Sequence, residues 1–232
     1  MTESHYTDEL IKALLEVGEA SDEYRFRSVP FRPDVVYDLG ADIGSMSLWA
    51  ARLWPDATVV AVEPNPDSFT LLVQNVDPKL TDQYPNVTPV WAAVSNGHVY
   101  VVPGAEPLHW MAVDRKAPTY SERLVPSGVS PITLAELHAR HGGERYVVKM
   151  DIEGAEHGVM MAPASRQVLI DSWYFAAELH FWGDTHDKMM AAADDIMRFL
   201  FELAQTHTLD IHWYGVCAHV WALRRGIEEA SG

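Results

Sequence analysis

The chain opens with apolar residues at helical spacing. Leu10, Ile11, Leu14, Leu15 and Val17 predict an amphipathic helix over about Thr7–Glu19. A polar connector with Pro30 and Pro33 follows, making 1–33 an N-terminal extension. From Val35 the pattern changes to short apolar runs separated by helical stretches. Strands are predicted at Val35–Leu39, Thr58–Val62 and Val87–Val94, with helices at Ser45–Trp54 and from Pro66 to Asn75 between them. The rhythm resumes with a helix over Thr133–His141, a strand over Tyr146–Met150, a helix over Glu153–Met161, a strand over Trp173–Leu179 and a long helix over Thr185–Thr206. Leu209–Tyr214 and Ala218–Leu223, joined at Gly215, read as a terminal hairpin.

Strands alternating with helices of this length form βαβ units on a parallel sheet. The fold class is therefore α/β and Rossmann-like, with a mostly parallel seven-stranded sheet ending in an antiparallel hairpin. Residues 1–232 read as one domain. The stretch 97–131 departs from the rhythm: Val99–Val102 could form a strand, but five prolines (Pro103, Pro107, Pro118, Pro126 and Pro131) point to a long loop. Such insertions commonly cover a site, so a substrate lid is expected there.

Charge narrows the partners. With 17 Lys and Arg against 33 Asp and Glu, and no basic run, the surface is poorly suited to phosphate backbones or anionic membranes. A small-molecule acceptor is favoured over nucleic acid and membrane, and a homodimer is compatible with the sequence. The polar first residues lack the apolar core of a signal peptide, and no run reaches the length of a membrane span. With one cysteine, Cys217, expected to be buried, no internal disulfide can form, which fits a reducing cytoplasmic location.

The loop Asp38-Leu39-Gly40-Ala41-Asp42-Ile43-Gly44 leaves the first strand and opens a helix, where doubly wound sheets bind ligands. Gly40 and Gly44 remove side chains where a ligand must meet the backbone. Glu63 ends the second strand and could accept hydrogen bonds from both hydroxyls of an adenosine ribose. A dinucleotide fingerprint would need glycine where Asp42 and Ser45 stand, and the acids would repel a pyrophosphate. A cationic adenosyl ligand suits this loop better than NAD or FAD.

Two blocks of residues carry a resemblance. The first is Val36-Tyr37-Asp38-Leu39-Gly40-Ala41-Asp42-Ile43-Gly44 with Ala61-Val62-Glu63-Pro64-Asn65-Pro66. The second is Ile132-Thr133-Leu134-Ala135-Glu136-Leu137 with Val148-Lys149-Met150-Asp151-Ile152-Glu153-Gly154-Ala155-Glu156. Together they resemble the FkbM family of S-adenosylmethionine-dependent methyltransferases over about residues 34–182. Two positions depart from the family pattern: Asp42 stands where asparagine is common, and Ala135 replaces the first acid of a T-L-D-D-L run.

The resemblance implies that S-adenosylmethionine is the cofactor. It implies Asp38, Gly40, Asp42 and Gly44 around the methionine end, Glu63 at the ribose, Asn65 near the adenosine, and Ala92 and Ala93 beside the adenine. It also implies methylation of hydroxyls on natural products, sugars or related small molecules. The alternatives are N-methylation of a small molecule or peptide, and a silent relative that binds cofactor without transfer.

An in-line methyl transfer needs alignment and, for a hydroxyl, a base or metal. Candidates stand at the ends of the fourth and fifth strands: Lys149, Asp151, Glu153 and Glu156, and Glu178 and His180. His180 is the expected base. Asp151, Glu178 and His180 could instead hold Mg²⁺ or another divalent ion. Trp110, Tyr120 and Trp182 could line an acceptor pocket.

Overall fold

The computed structural model describes residues 3–77, 84–95, 99–101, 113–114, 125–126, 128–181, 186–215 and 217–227. The elements before the insertion are α1 (Glu3–Ser21), a 3-10 turn (Phe26–Ser28), β1 (Val35–Leu39), α2 (Ser45–Leu53), β2 (Thr58–Glu63), α3 (Pro66–Val76), β3 (Val87–Trp91) and β4 (Ala93–Val94). Three short strands follow, β5 (Val99–Val101), β6 (Val113–Asp114) and β7 (Val125–Pro126), and then β8 (Pro131–Ile132). The rest is α4 (Leu134–His141), β9 (Tyr146–Met150), α5 (Glu156–Met161), α6 (Pro163–Asp171), β10 (Tyr174–His180), α7 (His186–Leu203), β11 (His207–Tyr214) and β12 (Cys217–Arg224).

Seven strands form the central sheet in the order β11-β12-β10-β9-β1-β2-β3. β3, β2, β1, β9 and β10 run parallel, and β12 is antiparallel to both β10 and β11. β1 and β9 are buried at every position, as strands covered on both faces must be. On one face, Val36, Val59, Ala61, Val147 and Ala176 meet α1 and α2 through Leu14, Leu15, Leu48 and Trp49. On the other, Tyr37, Val60, Val148 and Phe175 meet α4 to α7 through Leu137, Met160, Leu169 and Phe199. β1 pairs with β2 on one side and β9 on the other, so a crevice opens at its carboxyl end.

The expected third strand is two: β3 ends at Trp91, and after Ala92 the chain continues as β4, which pairs with β8 in a separate parallel pair. The helix expected from Glu153 starts at Glu156, because Glu153 (φ +52°) and Gly154 (φ +100°) form a left-handed turn. A helix not expected, α6, begins at Pro163, whose fixed φ suits a first helical position. Within 97–131, β5 pairs with both β6 and β7 in a small antiparallel sheet, so the stretch is not structureless. Trp110, Tyr120 and Trp182 lie outside the described residues. Among the described residues, no helix is long and apolar enough to cross a membrane.

Candidate active site

The turn after β1 is built around Gly40. Its φ is +79°, and a Cβ there would lie 1.7 Å from the carbonyl oxygen of Asp151, so only glycine fits. The amides of Gly40 and Ala41 both donate to the Val62 carbonyl at 3.0 Å, tying the loop to β2. Gly44, at φ +99°, passes Leu72 and leads into α2.

Glu63 fastens the same loop from β2. Its carboxylate accepts from the Asp42 amide at 2.8 Å and the Asn65 amide at 2.7 Å. Burial pushes the Glu63 carboxyl up to about 7, against the two amides that favour its ionised form. Asn65 is buried, and its side-chain oxygen caps α3 by accepting from the amides of Asp67 and Ser68. Its oxygen is therefore committed to the helix.

Asp38 and Lys149 stand side by side in register on β1 and β9. Lys149 Nζ lies 3.1 Å from Asp38 Oδ1 and donates to the Gly40 carbonyl at 2.6 Å. Ser47 Oγ donates to Asp38 Oδ2 at 2.5 Å. Both charged side chains are buried, at 1% and 3% exposure. Burial works against the Lys149 ammonium, but Asp38 and then Asp151 outweigh it and raise its pKa. The pair thus underpins the loop from inside. This corrects the expected roles of both: Asp38 does not line the methionine end with its carboxylate, and Lys149 does not face an acceptor.

A cavity of about 330 Å³ opens where the crevice was expected. Gly40, Asp42, Glu63, Ala92, Asp151 and Glu153 are among its walls. Ala92 faces it, whereas Ala93 is fully buried and belongs to the core, beneath the cavity's lining. Two larger hollows, of about 720 and 600 Å³, lie at the amino ends of the strands and are lined by segments such as 144–146 and 53–57. Ligands of open α/β sheets occupy the carboxyl ends, so size does not decide here.

On the far side of Asp151 lies a second group. Glu156 is fully buried; its carboxylate accepts from the amides of Ile152 and Gly154, closing the left-handed turn. His180 Nδ1 stands 3.1 Å from Glu156 Oε1, and its Nε2 is 3.6 Å from Glu153 and 3.9 Å from Glu178. Burial lowers the imidazole pKa, but the Glu156 hydrogen bond and charge, with Glu153 and Asp151, carry it up to about 9. At neutral pH the ring is an imidazolium. That removes His180 as a general base and corrects the expectation.

The expected metal ligands are not the ones the fold brings together. Asp151, Glu178 and His180 do not converge as one trio; His180 instead clusters with Asp151 and Glu153, and separately with Glu178 and Cys217. The expected trio of ligands is therefore not assembled. Cys217 is half-buried rather than buried.

Sequence similarity extends this geometry. A model of the methyltransferase FkbM domain matches residues 38–205, most of the chain. The chain belongs to the FkbM methyltransferase family. It is an S-adenosylmethionine-dependent methyltransferase. No curated protein matches it detectably. Among solved structures, this FkbM-domain protein is similar to a putative rRNA methylase from Clostridium thermocellum, with a TM-score of 0.51 and 8% identity over 90% of this chain and 97% of that one. It is also similar to a precorrin-6y C5,15-methyltransferase from Geobacter metallireducens, with a TM-score of 0.45 and 15% identity over 90% and 88%. At such identities the first likeness speaks for the fold alone.

Two residues of the site were not singled out from the sequence. Tyr24 donates its hydroxyl to Asp151 Oδ2 at 2.9 Å, and His219 approaches Glu178 at 3.6 Å and Glu23 at 3.4 Å. Tyr24 lies in the extension, far along the chain from Asp151, so no local spacing marks it. His219 faces Glu178 across the β10–β12 ladder, and only the strand register could have paired them.

Proposed function

We propose that the FkbM-domain enzyme methylates a hydroxyl of a small molecule, such as a natural product or a sugar, with S-adenosylmethionine seated in the 330 Å³ cavity. The observation that supports this most is the pairing of two kinds of wall in one cavity. Gly40, Asp42, Glu63 and Ala92 line it together with Asp151. Glu63 would accept the ribose hydroxyls, the bare backbone at Gly40 would admit the methionine end, and Ala92 would leave room for the flat adenine.

When bound, the cofactor supplies an electrophilic methyl on a sulfonium. The protein has to align an acceptor oxygen behind that methyl and take its proton. Asp151 is suited to this. Its Oδ1 is buried and has no hydrogen-bond partner among the described residues, while Oδ2 is held by Tyr24. Asp151 would orient the acceptor hydroxyl and receive its proton as the methyl is transferred. No metal takes part in this reading. The net charge of −16 accords with a small acceptor rather than a nucleic acid or an anionic membrane, and the single cysteine with a cytoplasmic setting.

The test is a panel of hydroxylated metabolites with S-adenosylmethionine, followed by S-adenosylhomocysteine release, with NMR locating the new methyl. Methylation confined to amines would overturn the oxygen assignment. Cofactor binding without turnover on any panel member, hydroxyl or amine, would favour a silent relative.

A further inference from the structure

The family match begins at residue 38, yet a side chain from before it reaches the middle of the site. We propose that Tyr24 is a positioning residue for methyl transfer: through Oδ2 it fixes the rotation of the Asp151 carboxylate beside the cavity. This rests on the reading of Asp151 given above.

Several contacts fix Tyr24 itself. The Tyr174 hydroxyl donates to the Tyr24 carbonyl at 2.9 Å, and Trp221 Nε1 donates to the Glu23 carbonyl at 2.8 Å. Arg25, in a left-handed conformation at φ +51°, lies 3.6 Å over the Trp221 ring and pairs with Asp210 at 2.5 Å. Behind this segment α1 is docked on α2, where Gly18 comes so close that a Cβ would touch Trp49 at 3.0 Å. Residues 23–25 are thus strapped across β10 and β12 from both sides, and the Tyr24 ring is placed with 4% exposure.

From there the hydroxyl meets Asp151 Oδ2, and the ring face lies 5.1 Å from Lys149 Nζ. The backbone of Asp151 is already fixed, since its amide donates to the Leu39 carbonyl at 3.1 Å. Tyr24 removes the remaining freedom, the rotation of the carboxyl group. Burial first, and then the Asp151 charge, hold the phenol pKa well above its ordinary value, so Tyr24 stays a donor at any working pH. A carboxylate held at one oxygen keeps a single orientation, and an in-line transfer requires groups of fixed orientation.

The experiment uses the full chain saturated with S-adenosylhomocysteine. A water-soluble carbodiimide and a labelled amine modify accessible carboxyls, and mass spectrometry quantifies the peptide carrying Asp151. Tyr24→Phe is expected to increase labelling of Asp151 threefold or more, with S-adenosylhomocysteine affinity within twofold of wild type. With an acceptor from the panel, kcat per S-adenosylhomocysteine-binding site should fall about tenfold while KM for S-adenosylmethionine holds, a normalisation that removes any loss of folded protein. Unchanged labelling in a normally folded Tyr24→Phe overturns the proposal. Independently of that variant, the tyrosine Raman doublet of the native chain should contain a strong-donor phenol that Asp151→Asn removes; identical doublets also overturn it. Failure of the native chain to bind S-adenosylhomocysteine would instead strike at the cofactor reading.

Discussion

His180 Nδ1 lies 3.1 Å from Glu156 Oε1, and both side chains are buried between β10 and the turn that follows β9. The bond joins an imidazolium to the carboxylate that holds the amides of Ile152 and Gly154. Its consequence is mechanical: the turn carrying Asp151 is braced against the neighbouring strand. Breaking the brace should loosen the turn before it touches chemistry.

The brace has a pH signature. His180 titrates at about 9 in the fold against an ordinary 6.5. The stabilisation is therefore complete below about pH 6.5 and is lost as pH rises through about 9. It should amount to roughly 3 kcal/mol at most. Urea unfolding between pH 6 and 10 should show this decline, and His180→Gln should flatten it. A histidine NMR titration that places His180 near 6.5 would refute the brace.

Glu63 gives the opposite slope for ligand binding. Its carboxyl sits at about 7 in the empty fold, so below that it is protonated and a poorer acceptor for ribose hydroxyls. Affinity for S-adenosylhomocysteine should rise between pH 6 and 8, as calorimetry can follow. Folding responds in the reverse sense. The raised carboxyl leaves the empty protein at full stability below about 4.5 and weakens it as pH climbs through 7. Glu63→Ala should weaken binding by about 1.5–3 kcal/mol. NAD and FAD should give no thermal shift, since the loop's acids oppose phosphates.

Lys149→Met should be costly to the fold itself. It leaves the Asp38 carboxylate buried without its cation, which costs about 3–5 kcal/mol. Adding Asp38→Asn should recover part of the loss, because an amide carries no charge to compensate. Denaturant midpoints for the single and double variants decide the matter, and a double variant no better than the single would sink the pairing argument.

Two glycines should respond in opposite directions. Gly40→Ala drives a Cβ into the Asp151 carbonyl, and S-adenosylhomocysteine binding should fall at least a hundredfold or the chain should not fold. Gly158, in α5, has open space at the same position, so Gly158→Ala should stabilise by about 0.5–1 kcal/mol. Melting temperatures of the two variants give the comparison.

Much of this architecture was readable from local pattern. The apolar runs at Val35, Thr58 and Tyr146 gave the central strands, and the glycines and acids after them marked the crevice. What escaped depends on pairing between distant segments. Nothing in the sequence aligns Asp38 with Lys149 until β1 and β9 are laid side by side. The same holds for Tyr24 and Asp151. The Glu153–Gly154 turn was mistaken for helix because helix propensity favours Glu, whereas the buried Glu156 carboxylate collects the amides of a different conformation. His180 read as a base because its ordinary pKa suits one, and only the neighbouring acids change that.

The position of β12 also constrains how the molecule is made. This strand is synthesised after β11 yet lies between it and β10. Among the described residues, β11 pairs in the sheet with β12 alone. On the ribosome the five parallel strands can assemble as they emerge, but β11 gains its partner only as residues 217–224 follow it. The hairpin then docks as a unit on β10. Translation pauses near the end of this stretch should therefore lengthen the time an unprotected strand edge, ending in Trp213 and Tyr214, is open to other chains.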